Sequence, residues 1–179
     1  VTTLSVARNS LVGTIPTSFA SLSKLEYLDL ESNSIGGTLP SFLCEMTSLE
    51  GMFLYQNKFI GTIPECLGDL SNMGRIYLSY NQLNGSIPSS LGKLSLMYEL
   101  DVSYNSLRGT IPEEILSVRG LYYLLLNNNF LTGTISPQLS QLSRLILLSV
   151  NNNLLSKSLP DSIGGKLLNM QLLYVYYNL

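Results

Sequence analysis

The sequence has no histidine, no tryptophan, only two cysteines and few charged residues. Of its 179 residues 12% are charged, about half of the roughly 25% that soluble domains carry. Its apolar fraction is 45%, so the chain does not combine the low hydrophobicity and high charge of a disordered protein. It also lacks the abundance of Glu, Lys and Arg that is typical of a coiled coil. Both classes are therefore excluded.

These absences also exclude several kinds of function. Histidine is the side chain most used for proton transfer near neutral pH and for binding zinc, so we predict no catalytic residue, no metal site and no cofactor. Ten basic and twelve acidic residues give a net charge of −2, which leaves no electrostatic footprint for nucleic acid. Runs of apolar and tyrosyl residues such as 121–126 are far shorter than the roughly 20 residues of a membrane span. We therefore expect no membrane contact within this chain.

Asparagine recurs at a regular interval. Seven Asn residues follow one another at steps of 24, and an eighth comes 25 residues later, with the pair Gly164–Gly165 as the expected site of the extra residue. A Gly-x-apolar-Pro element follows the Asn in the first five repeats, as in GTIP at 61–64. This regularity predicts a single domain over residues 1–179, a solenoid of about eight 24-residue repeats that stack to bury a continuous core. The repeated asparagines are Asn9, Asn33, Asn57, Asn81, Asn105, Asn129, Asn153 and Asn178.

Each part of the repeat has a physical role. Alternating apolar and polar residues, as in 25–30, are typical of a short strand with one buried face. The Asn amide both donates and accepts hydrogen bonds, so the asparagines are predicted to form a structural ladder that pairs loop backbone groups turned into the core. The Gly permits a tight turn and the Pro ends the strand. Leucines spaced three apart, such as Leu91 and Leu94, favour a brief helical or 3-10 turn.

The repeat LxxLxLxxNxLxGxIPxxLxxL resembles the plant-specific class of the leucine-rich repeat (LRR) family. Members include ectodomains of plant LRR receptor-like kinases and receptor-like proteins, and polygalacturonase-inhibiting proteins. The resemblance implies an α/β solenoid, a right-handed superhelix with a parallel β-sheet on its concave face and short helical or 3-10 turns on its convex face. It also implies an extracellular or cell-surface location, with any signal peptide or transmembrane segment outside this chain.

The sequence departs from the family pattern at its ends and in its last third. The terminal caps are absent and the first and last repeats are incomplete, so we expect a fragment of a longer protein, or an end covered by dimerisation. Ser136-Pro137 displaces the expected proline by one position, Lys157 replaces the expected glycine, and Gly165 adds a residue. We expect looser or more irregular coils there.

Two features concern covalent modification. The strings FLCEM and IPECLG around Cys44 and Cys66 resemble paired cysteines of receptor-like proteins. A disulfide bridge and two semi-buried free thiols both remain open. Asn84-Gly85-Ser86 is an N-glycosylation sequon in a turn, which makes Asn84 a candidate glycosylation site in a secreted protein.

All eleven tyrosines fall at the second, third, fifth, seventh and eighth positions of LxxLxLxxN. These positions form columns on the exposed face of the sheet. Tyr supplies a large amphipathic contact area and is enriched in binding surfaces, although it also favours strands for structural reasons alone. We interpret the columns as a ligand-binding surface centred on Phe53, Tyr55, Tyr77, Tyr80 and Tyr104. The predicted contact residues are Tyr27, Asp29, Glu31, Phe53, Tyr55, Arg75, Tyr77, Tyr80, Glu99, Asp101, Tyr104 and Tyr123.

Acidic side chains share this surface. Six of the twelve acids lie in the same columns, opposed only by Arg8 and Arg75. A locally basic peptide or protein would be steered there, and a solvated acidic face is the alternative interpretation. Further along, the columns turn to Asn and Ser, an array of amides and hydroxyls that could hydrogen-bond a polysaccharide or ice.

Three functional hypotheses follow. In the first, the chain is a non-catalytic recognition module that binds a peptide, protein or glycan ligand through its Tyr-rich concave face, with a co-receptor or a second copy as a further partner. In the second, it inhibits a cell-wall-degrading enzyme, as polygalacturonase inhibitors do. In the third, its repeated Asn and Thr residues form a structural or ice-binding array.

Overall fold

A computed structural model confirms the predicted solenoid of parallel strands and short 3-10 turns. The structure describes residues 1–156, 159–161, 163 and 167–179. Eight parallel strands follow one another in sequential order in the main sheet. Each strand pairs with its equivalent one repeat away, as Leu28 pairs with Met52 and Met52 with Ile76. The strands of the main sheet are β1 (Thr3–Ser5), β3 (Tyr27–Asp29), β5 (Gly51–Phe53), β7 (Arg75–Tyr77), β9 (Glu99–Asp101), β11 (Tyr123–Leu125), β13 (Leu147–Ser149) and β15 (Leu172–Tyr174).

Two smaller parallel sheets run along one flank of the coil, built from the segment that follows each asparagine. The first contains β2 (Val12–Gly13), β4 (Ser34–Thr38), β6 (Lys58–Thr62) and β8 (Gln82–Asn84). The second contains β10 (Arg108–Gly109), β12 (Phe130–Gly133) and β14 (Leu154–Leu155). At the end of these strands the chain needs glycine, since Gly37 has a φ of 77° and a Cβ there would lie 2.8 Å from Thr14 Cγ2.

Short 3-10 turns form the back of the coil. They are η1 (Thr17–Ser21), η2 (Ser41–Glu45), η3 (Glu65–Asp69), η4 (Ser89–Lys93), η5 (Ile115–Ser117) and η6 (Pro137–Gln141). An extended proline precedes each of the first four. Among the described residues no helix is long and apolar enough to cross a membrane.

The 3-10 turn that begins at Pro137 keeps the frame of the first four turns, contrary to the irregularity that we expected. Ser136 takes the place of the extended proline, and its hydroxyl accepts a hydrogen bond from the Gln138 N–H at 3.2 Å. Pro137 becomes the first residue of the turn, where its missing N–H would have had no partner within the turn. The other predicted irregularities, at Lys157 and Gly164–Gly165, lie outside the described residues.

The core is a stack of buried layers contributed by successive repeats. In one layer Leu67 and Leu70 come from the 3-10 turn, and Met73, Ile76 and Leu78 come from the strand and its flanks. All five are essentially inaccessible to solvent. The alternate strand positions face outward, and together with the turn after each strand they form what we call the concave face.

The asparagines connect each repeat to its neighbour. The Nδ2 of Asn57 donates to the carbonyls of Leu54 and Tyr55 in its own repeat and of Leu30 in the previous one, at 2.8–3.3 Å. Its Oδ1 accepts from the Ile35 N–H at 3.0 Å. One amide therefore pairs four backbone groups. The same pattern recurs at Asn33, Asn81, Asn105, Asn129, Asn153 and Asn178. Asn9 donates to Val6 and Ala7.

Cys44 and Cys66 form a disulfide bridge, with their Cα atoms 5.6 Å apart. The two cysteines lie in η2 and η3, so the bridge joins the back turns of adjacent repeats. Of the two states that the sequence left open, the structure contains the bridge.

Candidate ligand-binding surface

The predicted contact residues lie on the concave face, but the structure divides them into separate groups. Most are strand residues of β3, β5, β7, β9 and β11. Glu31 and Tyr55 lie just beyond the ends of β3 and β5, and Tyr80 and Tyr104 lie in the turns that follow β7 and β9. The rings and charges of neighbouring strands make the contacts described next.

Arg75 lies in an aromatic cage at the middle of the described sheet. Its guanidinium carbon is 5.3 Å from the ring centroid of Phe53 and 5.7 Å from those of Tyr27 and Tyr98. Its Nε is buried and has no hydrogen-bond partner, and the ion pairs between described residues do not include it. The cation is therefore held by ring faces, an arrangement that is stronger when water is excluded.

Further ring contacts extend this cage. The ring of Tyr77 packs edge-on against Phe53, at 5.2 Å between centroids, and against Tyr55, at 6.2 Å. Edge-to-face pairs of this kind are a favoured aromatic geometry. We call the connected group the central cluster: Tyr27, Phe53, Tyr55, Arg75, Tyr77 and Tyr98.

Carboxylates fix two phenol groups of this cluster. The Tyr27 hydroxyl donates to Glu50 at 2.6 Å, and the Tyr77 hydroxyl donates to Glu99 on the next strand. Burial, followed by the hydrogen bond to Glu99, raises the pKa of Tyr77. These phenols therefore remain neutral donors, and each keeps a carboxylate oriented beside the rings.

The acidic end of the face contains an ion pair. Arg8 Nε lies 2.9 Å from Glu31 Oε1. Burial raises the pKa of Glu31, but the hydrogen bonds from Tyr55 and Arg8 together with the charge of Arg8 outweigh it, so the pKa is lowered overall. Burial and the contact with Glu31 raise the pKa of Tyr55 to about 12. Glu31 is therefore ionised and its charge is offset by Arg8.

Tyr80 and Tyr104 form a separate pair at the rim of the concave face. Their rings stack with centroids 4.1 Å apart and planes 10° from parallel, and the side chains are 47% and 42% exposed. Both residues have positive φ, 53° and 51°. The position before the asparagine is left-handed in all eight repeats, so the alternation of the strand ends before it. The residues that were predicted to form a single centre therefore fall into two groups, the central cluster and this rim pair.

The structure also adds residues that were not predicted as contacts. Tyr98 belongs to the cage of Arg75 and makes an edge contact with Tyr122 at 6.5 Å, while Glu50 accepts from Tyr27. All three occupy the second position of the repeat, the column that the prediction included but from which it chose no residue. Tyr123 pairs in register with Glu99 and Leu147.

The array of amides and hydroxyls is mostly buried. Asn127, Ser149 and Asn151 are only 9%, 5% and 5% exposed, and the Ser149 hydroxyl donates to Asn151 Oδ1 at 2.8 Å. Ser149 and Asn151 thus pair with each other, and the array does not form a regular exposed surface.

Comparisons with known proteins agree with this architecture. Leucine-rich repeat family models match residues 1–59 and residues 72–94, 97–118 and 120–142. A search of curated proteins found no match. Among solved structures, the plant peptide hormone receptor RGFR1 in complex with RGF2 is 37% identical, with a TM-score of 0.96. The alignment covers 98% of this chain and 28% of that receptor chain.

Two Arabidopsis receptor kinases give similar results. The LRR ectodomain of the Arabidopsis thaliana membrane receptor kinase GASSHO1/SCHENGEN3, in complex with CASPARIAN STRIP INTEGRITY FACTOR 2, is 31% identical, with a TM-score of 0.95 over 98% of this chain and 21% of that chain. HAESA, in complex with the peptide hormone IDA and the co-receptor SERK1, is 30% identical, with a TM-score of 0.89 over 97% of this chain and 29% of that chain.

This chain thus spans less than a third of the length of each of these relatives. Its repeat, its parallel main sheet and its back turns are those of a non-catalytic recognition module. The chain belongs to the leucine-rich repeat family, in the plant-type form that resembles the ectodomains of plant LRR receptor kinases.

Proposed function

We propose that this domain is part of an extracellular receptor and that its concave face binds a locally basic peptide. The observation that carries the proposal is the central cluster, in which rings from several repeats are locked against one another and against Arg75. A surface that is already ordered loses little side-chain entropy on binding. Similarity to receptors solved with peptide hormones supports the same ligand class.

The charge of the face favours a basic ligand. Asp29, Glu50, Glu99 and Asp101 lie on it, and no described salt bridge neutralises them. The one cation at the centre, Arg75, is directed into aromatic rings. Lys or Arg side chains of a peptide would be steered toward these carboxylates, and their aliphatic stems would pack on the tyrosines.

Two further parts of the proposal concern location and partners. The Cys44–Cys66 bridge suits an oxidising, extracellular compartment, because disulfides persist there and are rare in the cytosol. A co-receptor is a natural second partner, since HAESA was solved with one. An ice-binding array on the concave face is not favoured, because the amides and hydroxyls of that face are mostly buried.

The test is selection of a displayed random-peptide library on the immobilised domain, followed by affinity measurements with the enriched peptides. We expect enrichment of Lys and Arg, and loss of binding in the double variant Tyr77→Ala, Tyr104→Ala. Phe130→Ala is the matched control, because this aromatic side chain is 43% exposed but lies on the flank in β12. Equal binding to wild type and the double variant would move the site away from the concave face.

A second pair of variants is needed in case the double tyrosine variant unfolds. Glu99→Gln and Asp101→Asn keep the side-chain shapes and remove two charges. We expect weaker binding and a smaller dependence on salt concentration, with thermal melting confirming the fold. Enriched peptides without basic residues, or binding unchanged in this charge variant, would contradict the electrostatic part of the proposal.

A further inference from the structure

We propose that Asn84 is N-glycosylated and that its glycan covers the middle of the flank built by β6, β8 and β10. The inference rests on the extracellular location proposed above, because only a chain that enters the secretory pathway meets the glycosylation machinery. Asn84-Gly85-Ser86 has the required spacing of an amide and a hydroxyl two residues later. Glycans of this kind are bulky, solubilising and confined to the surface.

Asn84 is free to carry a glycan, unlike the asparagine three residues before it. It is the last residue of β8, its side chain is exposed, and the side-chain hydrogen bonds between described residues do not involve it. The Asn81 amide, in contrast, donates to the carbonyls of Leu54 and Leu78 at 3.0 and 3.1 Å. A glycan on Asn81 would break the ladder, whereas one on Asn84 displaces no internal contact.

The chain after Asn84 turns sharply and leaves the sequon accessible. Gly85 has a φ of 74°, and a Cβ there would lie 2.8 Å from Thr62 Cγ2, so a bare glycine is needed at this turn. Ser86, which completes the sequon, is exposed. Both polar side chains of the sequon therefore stay on the surface of the folded domain.

The chemistry balances with one external donor, an oligosaccharide linked to a lipid pyrophosphate. The Asn84 amide nitrogen attacks the anomeric carbon of the first sugar and forms a C–N bond. The C–O bond to the pyrophosphate breaks, and the lipid pyrophosphate leaves with the electron pair. The amide nitrogen releases one proton, and no oxidation or reduction occurs.

The geometry determines what the glycan covers. In the parallel register of this flank Asn84 pairs with Thr62 and Ser86 pairs with Arg108, whose N–H donates to the Gly85 carbonyl at 2.7 Å. Thr62 and Arg108 are both exposed. A glycan on Asn84 shields both neighbours. The central cluster belongs to the main sheet, so the peptide-binding face stays open while this flank is closed to protein partners.

The experiment is secretion of the full 179-residue chain from a eukaryotic host behind a secretion leader, with intact mass measured before and after peptide-N-glycosidase. We expect the wild type to carry the mass of a glycan that the enzyme removes, converting Asn84 to Asp. Asn84→Gln and Ser86→Ala should show the polypeptide mass alone. Ser86→Thr keeps a sequon hydroxyl and should remain modified.

The repeat offers a matched positive control. In the Asn84→Gln background, Arg108→Asn creates an Asn-Gly-Thr sequon at the equivalent position of the next repeat. A modified control beside an unmodified wild type would overturn the assignment to Asn84. Absence of glycan from both the wild type and the control would overturn it as well, because the glycosylating enzyme would then not accept the turns of this fold as substrates.

Covering of the flank is tested by chemical labelling. Phenylglyoxal should modify Arg108 several-fold more slowly in the glycosylated protein than in Asn84→Gln, while nitration of Tyr80 on the rim should proceed at the same rate in both. Equal rates at Arg108 would show that the glycan points away from this flank. These readouts need no peptide ligand, so their failure is distinct from a failure of the peptide-binding proposal.

Discussion

The guanidinium of Arg75 lies over the ring of Phe53, with 5.3 Å between the guanidinium carbon and the ring centroid. The two residues come from adjacent strands of the main sheet, and the rings of Tyr27 and Tyr98 complete the enclosure. A cation that has no ion pair among the described residues is thus part of the structure of the surface. It ties together side chains of four consecutive repeats.

We expect Arg75→Ala to lower the free energy of unfolding by about 1–2 kcal/mol, because cation–π contacts contribute about 0.5–1 kcal/mol when exposed and about 2 when desolvated. The stability of Arg75→Lys should lie between that of the wild type and that of Arg75→Ala, since an ammonium lacks the planar stacking surface. Urea denaturation followed by circular dichroism measures both. Arg119→Ala is the control, because Arg119 is exposed, and equal stability of the two alanine variants would contradict the role of the cage.

Replacement of Asn81 by Leu should lower the free energy of unfolding by about 1–3 kcal/mol, because buried backbone groups would lose their partner. Those groups include the Phe59 N–H, which donates to Asn81 Oδ1 at 2.9 Å. Thermal and urea denaturation of unglycosylated protein provide the measurement. Asn84→Leu is the control, because it makes the same substitution outside the ladder, and it should change stability by less than about 0.5 kcal/mol. Full stability of the Asn81 variant would show that the ladder is dispensable.

Removal of the disulfide in the double variant Cys44→Ala, Cys66→Ala should cost roughly 2–4 kcal/mol. The bridge links residues 22 apart, so the unfolded chain regains the freedom of that loop. Denaturation of the wild type with and without reductant should reproduce the difference, and the double variant should not respond to reductant. Thiol labelling of the unreduced wild type, read by mass, would refute the bridge.

Alkaline pH should destabilise the domain through two half-buried tyrosines, Tyr55 and Tyr77. In the unfolded chain the phenols ionise near pH 10, whereas in the folded protein the pKa of Tyr55 is about 12 and that of Tyr77 is also raised. Because the folded values are higher, the stabilising contribution is complete below pH 10 and is lost as the pH rises toward about 12.

Ultraviolet absorbance of tyrosinate, recorded with thermal stability across this range, checks this expectation. A late phase of ionisation should shrink in Tyr55→Phe and in Tyr77→Phe, and shrink further in the double variant. These substitutions keep the rings and remove only the hydroxyls. A titration curve unchanged by either substitution would contradict the assignment.

Much of the fold followed from the repeat alone. The spacing of asparagines, the alternation around residues such as Leu28 and Leu30, and the Gly-x-apolar-Pro element are local patterns, and each acts within one unit of 24 residues. They predicted the strands, the turns and the stacking of the repeats because neighbouring units can bury their apolar faces only against each other. The outward columns could be read in the same way, since alternation holds throughout an extended strand.

The sequence by itself therefore determined the solenoid, the strand residues that point away from the core and the absence of histidine chemistry. Tertiary structure decided the rest. The cage of Arg75 needs side chains of separate repeats in compatible rotamers, and the Cys44–Cys66 bridge needs two back turns at bonding distance. The left-handed turn at Tyr80 and Tyr104 ends the alternation and moves these rings to the rim. Contacts between repeats are fixed by packing in three dimensions, and no local pattern specifies which neighbouring side chains meet.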